Sequence, residues 1–299
     1  MRPRPRVLLA ALAIDVVCGE PPACLHPVVG MGQLLAWLER RAPAGERARL
    51  AYGALIAVGL PLAWAGVVER VLGGAAWPIQ ALALKPTLAG RSLLDAGRRV
   101  ERALVDGDAD AARHALRALV SRSTDGLDTG HLASAAVESL AENLVDSWLA
   151  PMLAYAAAGV SGAYAYRAAN TADAMWGYHT PTFEQLGKGS ARLDDALNWL
   201  PARLGAGLLV AAARGGRANA LRAWVDEGGR TASPNAGQVM AVAAGALGVR
   251  LEKVDAYCLN ACAPLPTAAT IALGSQLVRR AMVLGALLAL GACLLRADG

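Results

Sequence analysis

Long stretches without a charged side chain are the strongest constraint that this sequence places on its fold. Leu50–Val68 and Ser147–Tyr166 carry no charge and are long enough to cross the roughly 30 Å hydrocarbon layer of a bilayer as helices. Ala281–Leu295 predicts a third span, and Val71–Leu84 and Ala196–Ala213 are weaker candidates. A buried helix of a large soluble protein can resemble any one of these segments, but together they favour a protein that crosses a membrane several times.

Composition supports a helical membrane fold. Hydrophobic residues make up 55% of the 299 residues, with a mean hydropathy of +0.36, whereas soluble domains are roughly 45–50% apolar. No alternating run is long enough to predict a sheet. We therefore predict an all-α, polytopic membrane protein in which residues 1–299 form a single domain. An amphipathic, alanine-rich pattern at about 91–128, with a turn at Asp106–Asp108, predicts a soluble helical hairpin between spans.

Charge and cysteine content argue against several functions. The basic residues behind the net charge of +5 are scattered, without a run interleaved with aromatics, so we expect no nucleic-acid partner. Arginines that flank apolar segments are typical of bacterial membrane proteins and predict a multi-pass protein of the cytoplasmic (inner) membrane, surrounded by the lipid bilayer. The five cysteines lack the spacing and the nearby histidines of a zinc site, and their odd number disfavours a disulfide framework.

The N-terminus imitates a signal peptide, because three arginines precede the apolar residues Val7–Ala13. Asp15 interrupts the apolar region, and we expect the segment to be retained. A turn follows, in which a glycine and two prolines fix the backbone. This turn would hold Asp15, Glu20 and His26 in a defined arrangement, although a loop that merely ends the first helix is equally compatible.

Hydroxyl groups and an arginine lie together at Ser121, Arg122, Ser123 and Thr124. Such groups at a helix terminus can cradle a phosphate. Serine and threonine are also preferred helix caps, and from the residues alone the cap is favoured.

An acidic stripe is predicted where Glu138, Glu142 and Asp146 recur every four residues on one helix, beside Asn143. Like charges at this spacing repel. The stripe leads into an uncharged segment, where that repulsion is poorly screened. A solvated surface stripe is the alternative, but we favour a bound Mg²⁺, which takes oxygen ligands.

Acids, amides and arginines are also concentrated between Arg167 and Arg203, next to apolar segments. Such groups are costly to bury. Asn170 and Asp173 are three residues apart, and Asp194 and Asn198 are four apart, so each pair would share a helix face. With the arginines nearby, the stretch predicts a divalent cation that holds a phosphate.

Six segments carry a resemblance that covers almost the whole chain. The sequence resembles the adenosylcobinamide-phosphate synthases of cobalamin biosynthesis, the CbiB/CobD family of membrane proteins. The matching segments are Asp15–Gly32, Ser121–Asp128, Glu138–Asp146, Tyr166–Tyr178, Ser190–Leu204 and Ser233–Leu251. One departure is Ser123, where the family usually has aspartate; Asp125 is a candidate to compensate for it.

The resemblance implies an ATP-dependent ligase that joins adenosylcobyric acid to (R)-1-amino-2-propanol or its O-phosphate. ATP would activate the carboxylate through an acyl phosphate, with Mg²⁺ neutralising phosphate charge. Other cobalamin-assembly enzymes and further copies of this chain are the implied protein partners.

The resemblance also implies roles for individual residues, which we group by function. The catalytic candidates are Glu20, His26, Asp173, Asp194 and Asp195. The candidates for holding ATP are Ser121, Arg122, Thr124, Arg167, Arg192 and Arg203. Substrate-binding candidates are Asn143, Asn170, Asn198 and Asn235, and metal candidates are Glu138, Glu142, Asp146, Asp173, Asp194 and Asp195.

Three other functions compete with this one. A membrane prenyltransferase-like enzyme also holds Mg²⁺-diphosphate with aspartates but needs no ATP. A transporter would couple ions to substrate through intramembrane acids, and it would show two related halves, which we do not find in the sequence. A scaffold that gathers corrinoid enzymes would be catalytically silent.

Overall fold

The fold is helical, as predicted. A computed structural model describes residues 4–120, 123–178 and 180–297, and within these ranges it has twelve α-helices. They are α1 (Pro5–Cys18), α2 (Pro27–Glu39), α3 (Glu46–Leu72), α4 (Trp77–Leu84), α5 (Gly90–Val105), α6 (Ala109–Leu116), α7 (Thr129–Leu144), α8 (Ala150–Trp176), α9 (Lys188–Ala212), α10 (Arg217–Glu227), α11 (Ala236–Leu247) and α12 (Ala268–Ala297). Short 3₁₀ turns occur at Ala23–Leu25 and Lys85–Thr87, and a π-helical turn at Val145–Leu149 joins α7 to α8.

A two-stranded antiparallel ribbon adds to the helices and was not predicted. Strand β1 (Leu251–Lys253) pairs with β2 (Tyr257–Leu259), with Leu251 opposite Leu259. Each strand has three residues, which is too short for the alternation on which a sequence-based strand prediction depends.

The chain divides into two compact units. The first comprises Met1–Ala89, Ala150–Asn198 and Leu288–Gly299, and the second comprises Gly90–Leu149 and Trp199–Leu287. In the first unit, α3 packs along α8 and α1 packs against α4. In the second unit, α10 packs against α11, and α7 is contacted by α5, α6, α11 and β1. That residues 1–299 form a single domain stays a prediction.

Glycines allow a close backbone approach inside the first unit. A Cβ atom at Gly53 of α3 would lie 1.9 Å from the backbone oxygen of Leu186. A Cβ atom at Gly189, at the start of α9, would lie 2.9 Å from the Cα of Ala54. Both positions therefore need glycine, because any side chain would push the start of α9 away from α3.

Two helices are long and apolar enough to cross a membrane. They are α3 and the Ala268–Arg296 part of α12, and they contain the predicted spans Leu50–Val68 and Ala281–Leu295. This agreement rests on length and composition alone. It gives weak support for a membrane protein, and several crossings are not confirmed.

The other predicted spans are not found among the described helices of spanning character. Ser147–Tyr166 begins in the π-helical turn, and the chain leaves helical geometry at Ala158 and at Gly159, where φ is 70°. Val71–Leu84 is interrupted by the turn before α4, which has eight residues. Ala196–Ala213 lies almost entirely within α9, whose charged residues lower its hydropathy.

Candidate functional site

A buried lysine joins the acids of the N-terminal turn. Lys85 Nζ lies 3.1 Å from Asp15 Oδ1 and 2.8 Å from Glu20 Oε1, and it donates to the backbone oxygen of Leu88 at 3.3 Å. Asp15 is fully buried and Lys85 is 3% exposed. We call Asp15, Glu20, His26 and Lys85 the Lys85 cluster. It arises because α1, which ends just past Asp15, packs against α4, which ends at Leu84.

His26 uses both ring nitrogens in this cluster. Its Nδ1 accepts a hydrogen bond from the backbone N–H of Val28 at 3.2 Å and so caps α2. Nδ1 therefore carries no hydrogen, and the ring hydrogen lies on Nε2, which donates to Glu20 Oε2 at 2.9 Å. In this arrangement neither nitrogen has a free lone pair with which to accept a proton.

Glu20 is held as a carboxylate. Burial alone raises the pKa of Glu20, but hydrogen bonds from His26 and Lys85 and the positive charge of Lys85 outweigh burial, so the net pKa lies below its ordinary value. Glu20 also keeps a quarter of its side chain exposed. It is therefore an ionised, reachable oxygen donor at the edge of a buried charge cluster.

A second polar network links α8 to α9. Asn198 Nδ2 donates to Asp194 Oδ2 at 2.9 Å, and Asn170 Nδ2 donates to Asp194 Oδ1 at 3.2 Å. The Tyr166 hydroxyl donates to Asn198 Oδ1 at 2.9 Å, and Arg167 donates to Asn170 Oδ1 at 3.3 Å. We call these five residues the Asp194 network. Their spacing of three or four residues within each helix places them on facing sides of α8 and α9.

Asp194 is the one acid of this network and is 8% exposed. Burial raises the pKa of Asp194, the charge of Asp195 raises it further, and bonds from Asn198 and Asn170 and the charge of Arg167 offset this only in part. The two amide bonds occupy two of about four lone-pair sites on the carboxylate. The remaining sites can accept another donor or a cation.

Three other predicted residues of this stretch, Asp173, Asp195 and Arg192, are not members of the Asp194 network as defined. Asp173 is half-buried, and its backbone oxygen accepts a bond from the N–H of Gly177 at 2.6 Å. Asp195 is half-buried beside Asp194, and Arg192 is exposed.

In the second unit, Glu138 is held by hydroxyl groups. Ser134 Oγ donates to Glu138 Oε1 at 2.7 Å, and the Tyr257 hydroxyl donates to Oε2 at 2.8 Å. The same serine accepts a bond from the N–H of Glu252 at 2.8 Å. Glu138 is 5% exposed, and these contacts attach the ribbon to α7.

The three acids of the predicted stripe differ in their exposure. Glu142 is exposed and Asp146 is half-buried, in contrast to Glu138. Asp146 lies in the π-helical turn, whose wider hydrogen-bond spacing departs from the four-residue period that the prediction assumed. Asn143 donates to the Ser139 backbone oxygen at 3.0 Å and accepts from Ser147 Oγ at 2.9 Å.

The predicted phosphate cradle is described only in part, because Ser121 and Arg122 lie outside the described residues. Ser123 Oγ donates to Asp125 Oδ2 at 2.9 Å, and Thr124 is buried. Asp128 caps α7 by accepting a bond from the N–H of His131 at 2.9 Å. That bond, with one from the His131 ring, lowers the pKa of Asp128. Asp128 thus does what an N-cap residue does.

Arg203 and Asn235 meet in the second unit. The Arg203 guanidinium donates to Asn235 Oδ1 at 3.2 Å and to the backbone oxygen of Trp199 at 2.8 Å. It also lies 4.4 Å from the centre of the Trp199 ring.

No three His, Cys, Asp or Glu side chains converge as a metal site within residues 4–120, 123–178 and 180–297. Asp194 and Asp195 are neighbouring carboxylates in α9, and Asp194 accepts hydrogen bonds from two amides.

Sequence reasoning missed Lys85, Tyr166, Ser134 and Tyr257 as members of these clusters. Lys85 had one usable signal, since it is one of only three lysines in an arginine-rich chain and lies between apolar segments. Tyr166 lies four residues before Asn170, so helical spacing could have indicated it.

Comparisons with known proteins agree with the resemblance. A family model described as "CobD/Cbib protein" matches residues 8–284. The "Probable cobalamin biosynthesis protein CobD" of Methanothrix thermoacetophila is 39% identical over 94% of each chain. Proteins named "Cobalamin biosynthesis protein CobD" are 38% identical in Rhodobacter capsulatus, over 92% of this chain and 93% of that one, and 39% identical in Chromobacterium violaceum, over 95% of each. No solved structure matches. The family match and these identities lead to one conclusion: the chain belongs to the CobD/CbiB family.

Proposed function

We propose that this protein acts in cobalamin biosynthesis, the process named for its relatives, as an enzyme that forms an amide bond. The reaction joins a free carboxylate of adenosylcobyric acid to the amine of (R)-1-amino-2-propanol or its O-phosphate, with consumption of ATP. The product is adenosylcobinamide or its phosphate.

The Asp194 network is the observation that carries this proposal. A buried carboxylate, two amides, a guanidinium and a phenol are joined by hydrogen bonds between two helices. Burying such groups costs free energy, and apolar side chains would form a purely structural contact between helices without that cost. All five residues lie in the Tyr166–Tyr178 and Ser190–Leu204 segments that carry the family resemblance.

The donor set fits Mg²⁺. This ion is commonly bound through one or two carboxylates together with phosphate oxygens and water, and Asp194 and Asp195 would supply the carboxylates. ATP would supply the phosphoryl group that activates the substrate carboxylate, and Mg²⁺ would neutralise phosphate charge. Arg167, which donates to Asn170, would hold a phosphate.

Glu20 is the proposed proton acceptor for the attacking amine. It is ionised and partly exposed, while both nitrogens of His26 are engaged. When the amine nitrogen forms the new C–N bond, it must lose a proton, and the carboxylate of Glu20 can take it. His26 and Lys85 then orient Glu20 and keep it ionised.

We further propose that the protein resides in the bacterial cytoplasmic membrane and crosses it more than once. The apolar helices α3 and α12 support this proposal.

A direct assay tests the function. The purified, folded protein is incubated with adenosylcobyric acid, ATP, Mg²⁺ and either aminopropanol or its phosphate, and mass spectrometry follows the amide product and ADP. We expect both products to accumulate together, and only when the amine is present. If neither amine gives an amide product, the proposal is overturned.

A further inference from the structure

A cavity of about 380 Å³ lies in the second unit between α5 and the first half of α12. One face of each helix forms its wall, because the lining residues recur at three- and four-residue spacing. The polar lining residues are Arg98, Glu101, Arg102, Ser275, Gln276 and Arg279.

Hydrogen-bond donors dominate this wall. Arg98 is paired with Asp95 at 2.9 Å, whereas Arg102 and Arg279 make no ion pair within the described part of the chain. The hydroxyl oxygen of Ser275 is buried and has no hydrogen-bond partner among the described residues. A buried hydroxyl without a partner is costly unless a ligand or water completes it.

Charge selects the class of ligand. Three guanidinium groups face a single carboxylate, Glu101, among the described lining residues. Planar guanidinium groups match phosphate oxygens and can bind them in pairs, and the Ser275 hydroxyl and the Gln276 amide add neutral donors.

We propose that this cavity binds a phosphate group, with Arg102 and Arg279 as its principal contacts. Two kinds of ligand carry such a phosphate group. One is a free phosphate compound, and the other is an anionic lipid headgroup, which basic pockets beside membrane helices bind. The site is independent of the amide-forming activity proposed above and lies wholly within the second unit.

Two titrations of the purified full-length protein test the site and separate the sources. In detergent, inorganic phosphate is titrated by calorimetry. In nanodiscs, native mass spectrometry counts the lipids retained from a mixture of phosphatidylglycerol and phosphatidylcholine. The variants are R102Q, R279Q and their combination. The control is R99Q, which removes a neighbouring exposed arginine of α5 that does not line the cavity.

We expect each cavity substitution to weaken binding of one probe at least tenfold, which corresponds to about 1.4 kcal/mol or more, because the substitution removes a charge-assisted hydrogen bond. The R99Q variant should bind like the wild type. Loss of phosphate binding alone identifies a free phosphate compound, and loss of retained phosphatidylglycerol identifies a lipid headgroup. The proposal fails if the wild type binds neither probe, or if R99Q weakens binding as much as the cavity variants, which would indicate general surface charge. Circular dichroism verifies that the exposed substitutions leave the helices intact.

Discussion

At the scale of single residues, Lys85 has the clearest energetic consequence. It lies 3.1 Å from the fully buried Asp15 and 2.8 Å from Glu20. Replacing it in a K85M variant would remove the Lys85 cation from the buried Asp15 carboxylate, and removal of one partner from a buried pair costs about 3–5 kcal/mol. We expect that loss in the free energy of unfolding, measured with denaturant in detergent.

Two further variants test whether the loss of stability in K85M comes from the buried charge cluster. The exposed Lys188 is a matched control, and K188M should change stability little. The double variant K85M/D15N should recover part of the loss, because it removes the buried negative charge of Asp15 as well. Equal stability of K85M and K188M would contradict the assigned role of the cluster.

The burial of Asp194 predicts that the free energy of unfolding depends on pH. Its raised pKa means that ionisation is less favourable in the folded chain than in the unfolded one. The free energy of unfolding should therefore fall as pH rises from the ordinary aspartate pKa, about 3.9, through the raised folded value. D194N removes this titration, so its stability should be flatter over the same window. It should also lose amide synthesis while remaining folded.

Denaturant unfolding at several pH values measures this effect. An E46Q variant is the control, because Glu46 is an exposed acid in the first turn of α3. If the D194N curve runs parallel to that of the wild type, burial does not disfavour the charge of Asp194.

Local spacing explains what could be predicted at this scale. Asp194 and Asn198 are four residues apart, and the structure has the contact that this spacing implies. Asp15 and Lys85, by contrast, are joined only because α1 packs against α4. No periodicity in the sequence relates two residues so far apart, so this part of the site required the tertiary structure.

At the scale of elements, a hydrogen bond ties the second strand of the ribbon to α7. The Tyr257 hydroxyl donates to the buried Glu138. In a Y257F variant the carboxylate would lose that donor, which costs about 1–3 kcal/mol for a buried acceptor. We expect this loss of stability, together with faster hydrogen exchange in residues 251–259. Unchanged stability and unchanged exchange in Y257F would argue against a specific tie.

The break in α8 makes a second prediction for an element. Gly159 has φ 70° and ψ −159°, a conformation open essentially only to glycine. G159A should therefore destabilise the protein by about 1–3 kcal/mol. Gly59 in α3 is the matched control, because a Cβ atom there meets nothing within 4 Å, so G59A should keep or raise stability. Thermal unfolding measures the stability of both variants. A G159A variant as stable as the wild type would show that the break is not required.

Elements also show where sequence reasoning succeeded and failed. Apolar length located α3 and α12 correctly, because an uninterrupted helix needs only a continuous run of compatible residues. The same criterion predicts a span at Ser147–Tyr166, which is not confirmed. There the chain changes hydrogen-bond spacing at Val145–Leu149 and bends at Gly159. A glycine permits such a bend, but its presence in the sequence does not predict one, because glycine also occurs inside regular helices.

For the molecule as a whole, the first unit limits how topology can be assigned. Helix α3 has 27 residues and is therefore about 40 Å long. Asp15 precedes it and Lys85 follows it, yet the two side chains are 3.1 Å apart. The chain must return along much of the length of α3 between these residues. If α3 crosses a bilayer, its two ends lie on opposite sides, and the segments between Asp15 and α3 and between α3 and Lys85 must together run back over much of that length for the Lys85 cluster to form.

Whether α3 faces lipid can be tested by a single charge. Leu62 lies near the middle of α3 and is 66% exposed in the isolated chain. If lipid surrounds this face, an arginine there costs about 2.5–3.5 kcal/mol for insertion, whereas in water an exposed substitution changes stability by about 0.5 kcal/mol or less. We expect L62R to lower the carbonate-resistant membrane fraction strongly. L221R, on the exposed face of the short helix α10, should leave that fraction unchanged. An L62R protein that matches the wild type in membrane fraction and stability would place this face of α3 in water, and the multi-pass membrane proposal would then lose its main support.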